Sequence, residues 1–400
     1  MRVVHCITGL SGDGAQRMLL RLVVQLQQRG VHNFVISLSK REPLALEFER
    51  HGIPVHALDM GHASRVARGF MRLRSLMTEL APDVIQGWMY HANLAVSLVA
   101  PFLPKKTPVV WNIRRGLDDY RERKLSTRAM VRLGARLSSR ANQIIYCTHE
   151  SRAQHELFGF SSNQGTVIGN GFDTTLFAPN AEKRAAIRER LGVVEQDILI
   201  GNIGRDDSAK GRPFLFEAFA ELLLRVPRAR LLLVGRGMDD SNRELRGRLV
   251  ASRIAARVIL LGEYTPVSEL YSAMDILCSS SVCEGFPNVI AEAMSSGVPC
   301  VATDTGNTSG LLQGTGIVVP SRFGRYLAEG LHVMCSEQAD QRRARGLHAR
   351  ESIKAAFSMS RIVEDYVSLY CDVAEKGGIY PASYGQESSA PRVSRAFSRS

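Results

Sequence analysis

No apolar run in this chain reaches the roughly 20 residues that a bilayer-spanning helix needs. The longest candidate, Leu94 to Leu103, is about half that length and is interrupted by Pro101. A secretory leader is not expected either: Met1-Arg2-Val3-Val4-His5-Cys6-Ile7 reads as a buried strand entering a glycine loop. Paired metal-binding cysteines are missing. The seven cysteines (Cys6, Cys147, Cys278, Cys283, Cys300, Cys335, Cys371) are scattered, none forms a CxxC pair, and no histidine cluster stands at zinc spacing. Thiols set in apolar strands fit a reducing compartment, so the expected location is the cytoplasm. No acidic cluster demands a metal, and neither a metal nor a cofactor is expected.

What is present is an ordinary soluble composition, 45% apolar and 22% charged, in a length that favours two domains. The net charge of +12 is unevenly spread. Residues 1–180 hold 23 Lys and Arg against 13 Asp and Glu, whereas residues 181–400 hold 28 against 26. So basic an amino-terminal half looks outward to something anionic.

Strand-like runs at Val3–Ile7, Phe34–Leu38, Val84–Ile85, Val109–Trp111 and Ile144–Cys147 alternate with helix-like stretches. In residues 15–29, for example, Leu19, Leu22, Val23 and Leu26 recur at helical spacing until Gly30. A second series follows the turn-rich Gly169-Asn170-Gly171-Phe172-Asp173, with strands at Ile198–Ile203, Leu231–Val234, Val258–Leu261, Ile276–Cys278, Cys300–Ala302 and Ile317–Val319. The alternation predicts two doubly wound α/β units, each a parallel sheet with helices on both faces. Ligands of such sheets bind beyond the carboxyl ends of the strands, so two facing units would form a cleft. Residues 1–170 and 171–357 are the expected domains, with a helix at 358–375 and a disordered tail at 376–400 rich in Ser, Arg, Gly and Pro.

Three loops stand out. Glu284-Gly285-Phe286-Pro287-Asn288 follows a strand and a Ser-rich loop, and Pro287 suits the first turn of a helix. A helix start there offers amide groups and a positive dipole end to a phosphate, with Glu292 further along the same helix. Spacing alone still favours a plain helix with surface acids. Arg205 and Lys210 lie in a loop after a strand, where two cations can neutralise a diphosphate leaving group, though such residues are more often simply solvated. Gly9-Leu-Ser-Gly12-Asp-Gly14 opens a helix after the first strand, but its glycines do not fall at GxGxxG intervals, so a dinucleotide site is not indicated.

Glu284 to Met294, followed by Gly297-Val-Pro-Cys-Val-Ala-Thr-Asp-Thr-Gly306, resembles the signature of family 4 of the retaining glycosyltransferases, which have the GT-B fold. The paired glutamates match that family's EX7E motif, and the likeness runs from the glycine loop to about residue 375. The resemblance implies that Glu284 contacts donor-sugar hydroxyls and Glu292 the nucleotide ribose. It implies that Arg205 and Lys210 bind donor phosphates, that Gly12 and Gly14 approach them from the other domain, and that His91 faces the donor sugar. Gly285, Phe286, Pro287 and Asn288 become candidate donor contacts, as does the backbone at Gly262. Tyr90, Asn93 and Arg114 are weaker neighbours of His91. One departure is Gly310, where the family usually has an acidic residue.

The function so implied is retaining transfer of a sugar from a nucleotide-diphosphate sugar, UDP-linked before GDP-linked, to a lipid-linked or polysaccharide acceptor. No nucleic-acid partner is expected. Arg128, Arg132, Arg136 and Arg140 recur every four residues and make a basic helical stripe, suited to an anionic membrane surface or equally to water. Two alternatives are a nucleotide-sugar epimerase of related fold, which would need no acceptor, and a non-enzymatic two-lobed binding protein.

Overall fold

The computed structural model describes residues 1–378 apart from Asp13, Asp119 and Arg123. Most of the expected tail therefore lies outside the described residues. Seven strands form the first sheet: β1 (Arg2–Ile7), β2 (His32–Ser37), β3 (Val55–Ala57), β4 (Val84–Trp88), β5 (Val109–Ile113), β6 (Gln143–Tyr146) and β7 (Gly165–Val167). Six form the second: β8 (Ile198–Ile203), β9 (Ala229–Val234), β10 (Val258–Gly262), β11 (Ile276–Ser279), β12 (Cys300–Thr303) and β13 (Ile317–Val319). All pairings are parallel, in the orders β3-β2-β1-β4-β5-β6-β7 and β10-β9-β8-β11-β12-β13. Each order reverses once, between β1 and β4 and between β8 and β11. At such a reversal the connections leave in opposite directions and open a crevice beyond the strand ends. The expected doubly wound architecture is thus present twice. Among the described residues no helix is long and apolar enough to cross a membrane.

The chain passes between the sheets twice, and the two passes are tied together. Phe172 N–H donates to the Phe357 carbonyl, and Met359 N–H to the Phe172 carbonyl, both at 2.9 Å. Beyond this knot the helix Met359–Lys376 packs on the first domain: Ile362, Val363, Tyr366 and Tyr370 share a cluster with Val3, Leu19, Leu22 and Val23. Hydrogen bonds fix its register on the sheet. Tyr370 OH donates to Gln86 on β4, and Asn112 Nδ2 on β5 donates to Tyr366 OH at 2.8 Å.

His5 of β1 sits fully buried beside this helix. Trp88 Nε1–H donates to its Nδ1 at 3.3 Å, which leaves Nε2–H to donate to Asn33 Oδ1 at 3.1 Å. That network fits the neutral ring, and burial lowers the pKa to about 4. The folded value lies below the unfolded 6.5, so this stability is complete above pH 6.5 and is lost as pH falls toward 4. The shift corresponds to about 3 kcal/mol. Urea midpoints measured across this window should fall more steeply for the wild type than for His5→Gln. Parallel slopes would mean that His5 does not titrate on unfolding.

Candidate active site

The second domain builds its half of the site from loops on adjacent strands. After β8 the chain runs through Gly204 to a short 3-10 turn, Ser208–Lys210, capped by Asp207, whose Oδ1 accepts from Ala209 N–H at 2.9 Å. Gly211 then takes a left-handed conformation (φ +59°), and a Cβ there would stand 2.0 Å from the Ser280 carbonyl oxygen. Only glycine permits so close an approach. The loops after β8 and β11 are consequently zipped together. Ser280 Oγ donates to the Lys210 carbonyl at 2.7 Å, and Val282 N–H to that of Ala209 at 2.8 Å.

The zipper brings two of the predicted residues into contact. Lys210 Nζ lies 2.6 Å from Glu284 Oε1, and Ser281 Oγ donates to the same oxygen at 2.7 Å. Arg205 is more open and pairs with Asp207 Oδ2 at 3.0 Å. The loop that bears it is held from below by Arg212, almost wholly buried, whose guanidinium donates to the carbonyls of Gly204 and Arg205. Burial lowers the pKa of Arg212 to about 10, against the opposing pull of Asp206, so it stays charged near neutrality.

The helix Asn288–Ser295 begins just beyond, after Gly285, Phe286 and Pro287. No side chain caps its first turn, which leaves the positive dipole end at the site, while the Asn288 and Ile290 N–H groups donate to the Phe286 and Pro287 carbonyls at 2.9 and 3.1 Å. Phe286 turns inward, stacking on Phe172 and meeting Phe357 edge-on, with centroids 5.9 and 5.5 Å away. Glu292 is buried, and Tyr271 OH donates to its Oε2 at 2.9 Å. Burial and the charge of Glu292 both raise the Tyr271 pKa, so the hydroxyl keeps its proton to donate. Gly262 lies off this centre at the end of β10, its carbonyl accepting from Gly235 N–H at 2.7 Å.

The first domain meets these loops with the ends of β1, β4 and β5. Gly14 opens the helix Gly14–Gln28, and a Cβ there would lie 3.0 Å from Asn288 Nδ2. Just before it, the Gly12 carbonyl accepts from Arg17 Nε at 3.0 Å. His91 stands in the first turn of the helix Met89–Val99, exposed and partly desolvated, which lowers its pKa. Met89 reaches this turn with φ of 68°, a strained value for a residue with a side chain. After β5, Arg114 is buried and reaches Asn170, which in turn donates to Asn288 Oδ1 at 2.5 Å. Of the weaker neighbours, Tyr90 bonds His155 at 2.8 Å, and Asn93 accepts from Asn112 N–H at 3.4 Å.

Several participants were not legible in the sequence. Arg21 Nη2 crosses from the first helix to Glu292 Oε1 at 3.2 Å, and nothing in the local sequence singles it out. The same holds for Tyr271 and Arg212. Glu150 has its pKa raised by burial and by the charges of Asp118 and Asp304. Asp304 lies on the opposite domain, where it accepts from Ser309 Oγ at 2.6 Å. At the departure noted above, Gly310 lies in the short helix Thr308–Leu312, and Asp304 is a carboxylate of that loop.

Known proteins share this design. A family model described as Glycosyltransferase Family 4 matches residues 12–176, and one described as Glycosyl transferases group 1 matches residues 197–336. The lipopolysaccharide core biosynthesis mannosyltransferase LpsB of Rhizobium meliloti (strain 1021) is 32% identical over 161 residues, covering 38% of this chain and 46% of that one. A D-inositol 3-phosphate glycosyltransferase of Corynebacterium aurimucosum is 29% identical over 296 residues, 72% of this chain and 68% of its own. The chain spans about half the length of most curated relatives it matches. Anabaena Alr3699/HepE, solved in complex with UDP, superposes with a TM-score of 0.83 at 22% identity, over 93% of this chain and 100% of that one. The same protein solved with UDP-glucose gives 0.80 at 21%, with the same coverage. A glycosyltransferase family model thus matches a segment on each of the two sheets, and the solved structures share the two-domain fold over most of the chain.

Proposed function

We propose that this protein is a retaining glycosyltransferase that moves a hexosyl group from a UDP-sugar to a lipid-linked or polysaccharide acceptor. The observation that carries the reading is the Lys210–Glu284 pair, held by two zipped loops beside an uncapped helix start. Solved proteins of this fold hold UDP and UDP-glucose, which supports a nucleotide-sugar donor. The relative named as a lipopolysaccharide mannosyltransferase supports a glycan acceptor.

In this reading the diphosphate enters between Arg205, Lys210 and the positive dipole end of the helix Asn288–Ser295. Lys210 exchanges a carboxylate for a phosphate, and Glu284 is released to accept hydrogen bonds from the sugar hydroxyls. Negative charge grows on the diphosphate as the glycosidic bond breaks. Cations already fixed around it stabilise that charge without reorganising. Charge neutralisation in this proposal rests on protein groups, with no metal. His91 faces the sugar from the first domain, and Glu292 takes the ribose.

Lys210→Ala should reduce transition-state stabilisation by about 2–4 kcal/mol, read as kcat/KM for the donor. A variant with wild-type donor affinity and turnover would remove the phosphate role. Glu292→Gln should weaken binding of free UDP in calorimetry, whereas Glu284→Gln should slow transfer while free UDP still binds. The reverse pattern would exchange the two assignments.

The acceptor side of the proposal rests on the helix Leu125–Leu137. Its Val131 and Gly134 turn inward, and Arg132, Arg136, Leu125 and Leu133 are exposed, with Arg140 exposed in the turn that follows. Arg128 is partly withdrawn over the Tyr120 ring at 5.5 Å. Three exposed arginines contribute about 1 kcal/mol each at an anionic surface, screened beyond about 8 Å. Replacing Arg132, Arg136 and Arg140 with Gln should abolish salt-sensitive sedimentation with anionic liposomes and spare hydrolysis of the soluble donor. Unchanged sedimentation would leave the stripe as a solvated face.

A further inference from the structure

We infer that Arg21 is a positioning residue of the donor site, a latch by which the first domain holds Glu292 and closes the cleft. The inference rests on the reading of Glu292 as the nucleotide-binding carboxylate. Its geometry is independent of which sugar is carried.

Arg21 belongs to the helix Gly14–Gln28, whose Met18, Leu19, Leu22, Val23 and Leu26 are buried in the first domain. The remaining face looks toward the second domain. From it the Arg21 guanidinium extends over the Phe177 ring, 5.9 Å from its centroid, and places Nη2 3.2 Å from Glu292 Oε1. Phe177 belongs to the stretch that leads into the second domain, so the arginine rests on the connection while it grips the far side.

Glu292 needs this contact. Its side chain is only 10% exposed, and its other oxygen receives a single neutral hydrogen bond, from Tyr271. A carboxylate withdrawn from water is costly unless a charge or several donors compensate it. The compensating charge comes from the opposite domain. Opening the cleft would separate the pair and leave Glu292 with Tyr271 alone, so the ion pair favours closure. A carboxylate has about four lone-pair positions. With one given to Arg21 and one to Tyr271, room remains for ribose hydroxyls, and Arg21 need not leave when the nucleotide binds. It orients the carboxylate and holds the first domain over it.

Three measurements test the latch. Small-angle scattering of the empty protein should give a larger radius of gyration for Arg21→Gln than for wild type, with Arg21→Lys intermediate. Donor kinetics should show kcat/KM reduced about tenfold in Arg21→Gln, mostly in kcat. Adding Glu292→Gln to Arg21→Gln should cost less than the two single effects combined. Unchanged scattering, or additive effects in the double variant, would overturn the latch. If instead Glu292→Gln leaves UDP binding intact, the nucleotide assignment fails, while the scattering comparison, which needs no nucleotide, still decides the closure role.

Discussion

Because helices seal both faces of each parallel sheet, polar side chains within the strands must find partners in the interior, as His5, Gln86 and Asn112 do, and the charged groups of the cleft gather where the strands end. Strands β1, β4 and β5 are buried nearly throughout, and β8 and β11 hardly less. The reversal of strand order then decides which ends become neighbours. In the second domain it sets the loop after β8 against the loop after β11, and that adjacency is what allows Gly211 to meet Ser280 and Lys210 to meet Glu284. The first domain repeats the arrangement, with the glycine loop after β1 and His91 after β4.

The site so built is balanced before any ligand enters. Lys210 is matched by Glu284, Arg205 by Asp207, and Glu292 by Arg21. Half-buried cations without such partners would carry a desolvation cost. In the proposed reading a diphosphate displaces Glu284 and Asp207 from their cations, and its higher charge and additional acceptor oxygens favour the exchange. That competition would give the proposed site its selectivity for a doubly charged group over a single carboxylate or a neutral sugar.

The strands of both sheets were legible because parallel strands buried on two faces must be written as continuous apolar runs. Strands β3 and β7 were not: these three-residue edge strands read Val-His-Ala and Gly-Thr-Val, whereas the equally short β13 is continuously apolar. The local chemistry of the site was equally readable. Pro287 announces a helix start, and cations in a loop after a strand announce an anion. What composition and spacing could not convey is partnership across long separations. Arg21 and Glu292 are 271 positions apart, and nothing local distinguishes Arg21 from Arg17 on the same helix face. Arg212 went unmarked because its partners are carbonyls, which leave no trace in a sequence.

The paired crossings at Phe172 have a mechanical meaning. Two adjacent extended segments, bonded to each other on both sides of one residue, behave as a single axle. Rotation about that line leaves both hydrogen bonds intact, whereas sliding one domain past the other would stretch them. The relative motion of the halves is thereby reduced toward one angular coordinate. A small turn at the axle becomes a wide swing at the rim, so the loops farthest from Phe172 sweep the greatest distance while the residues beside it scarcely move.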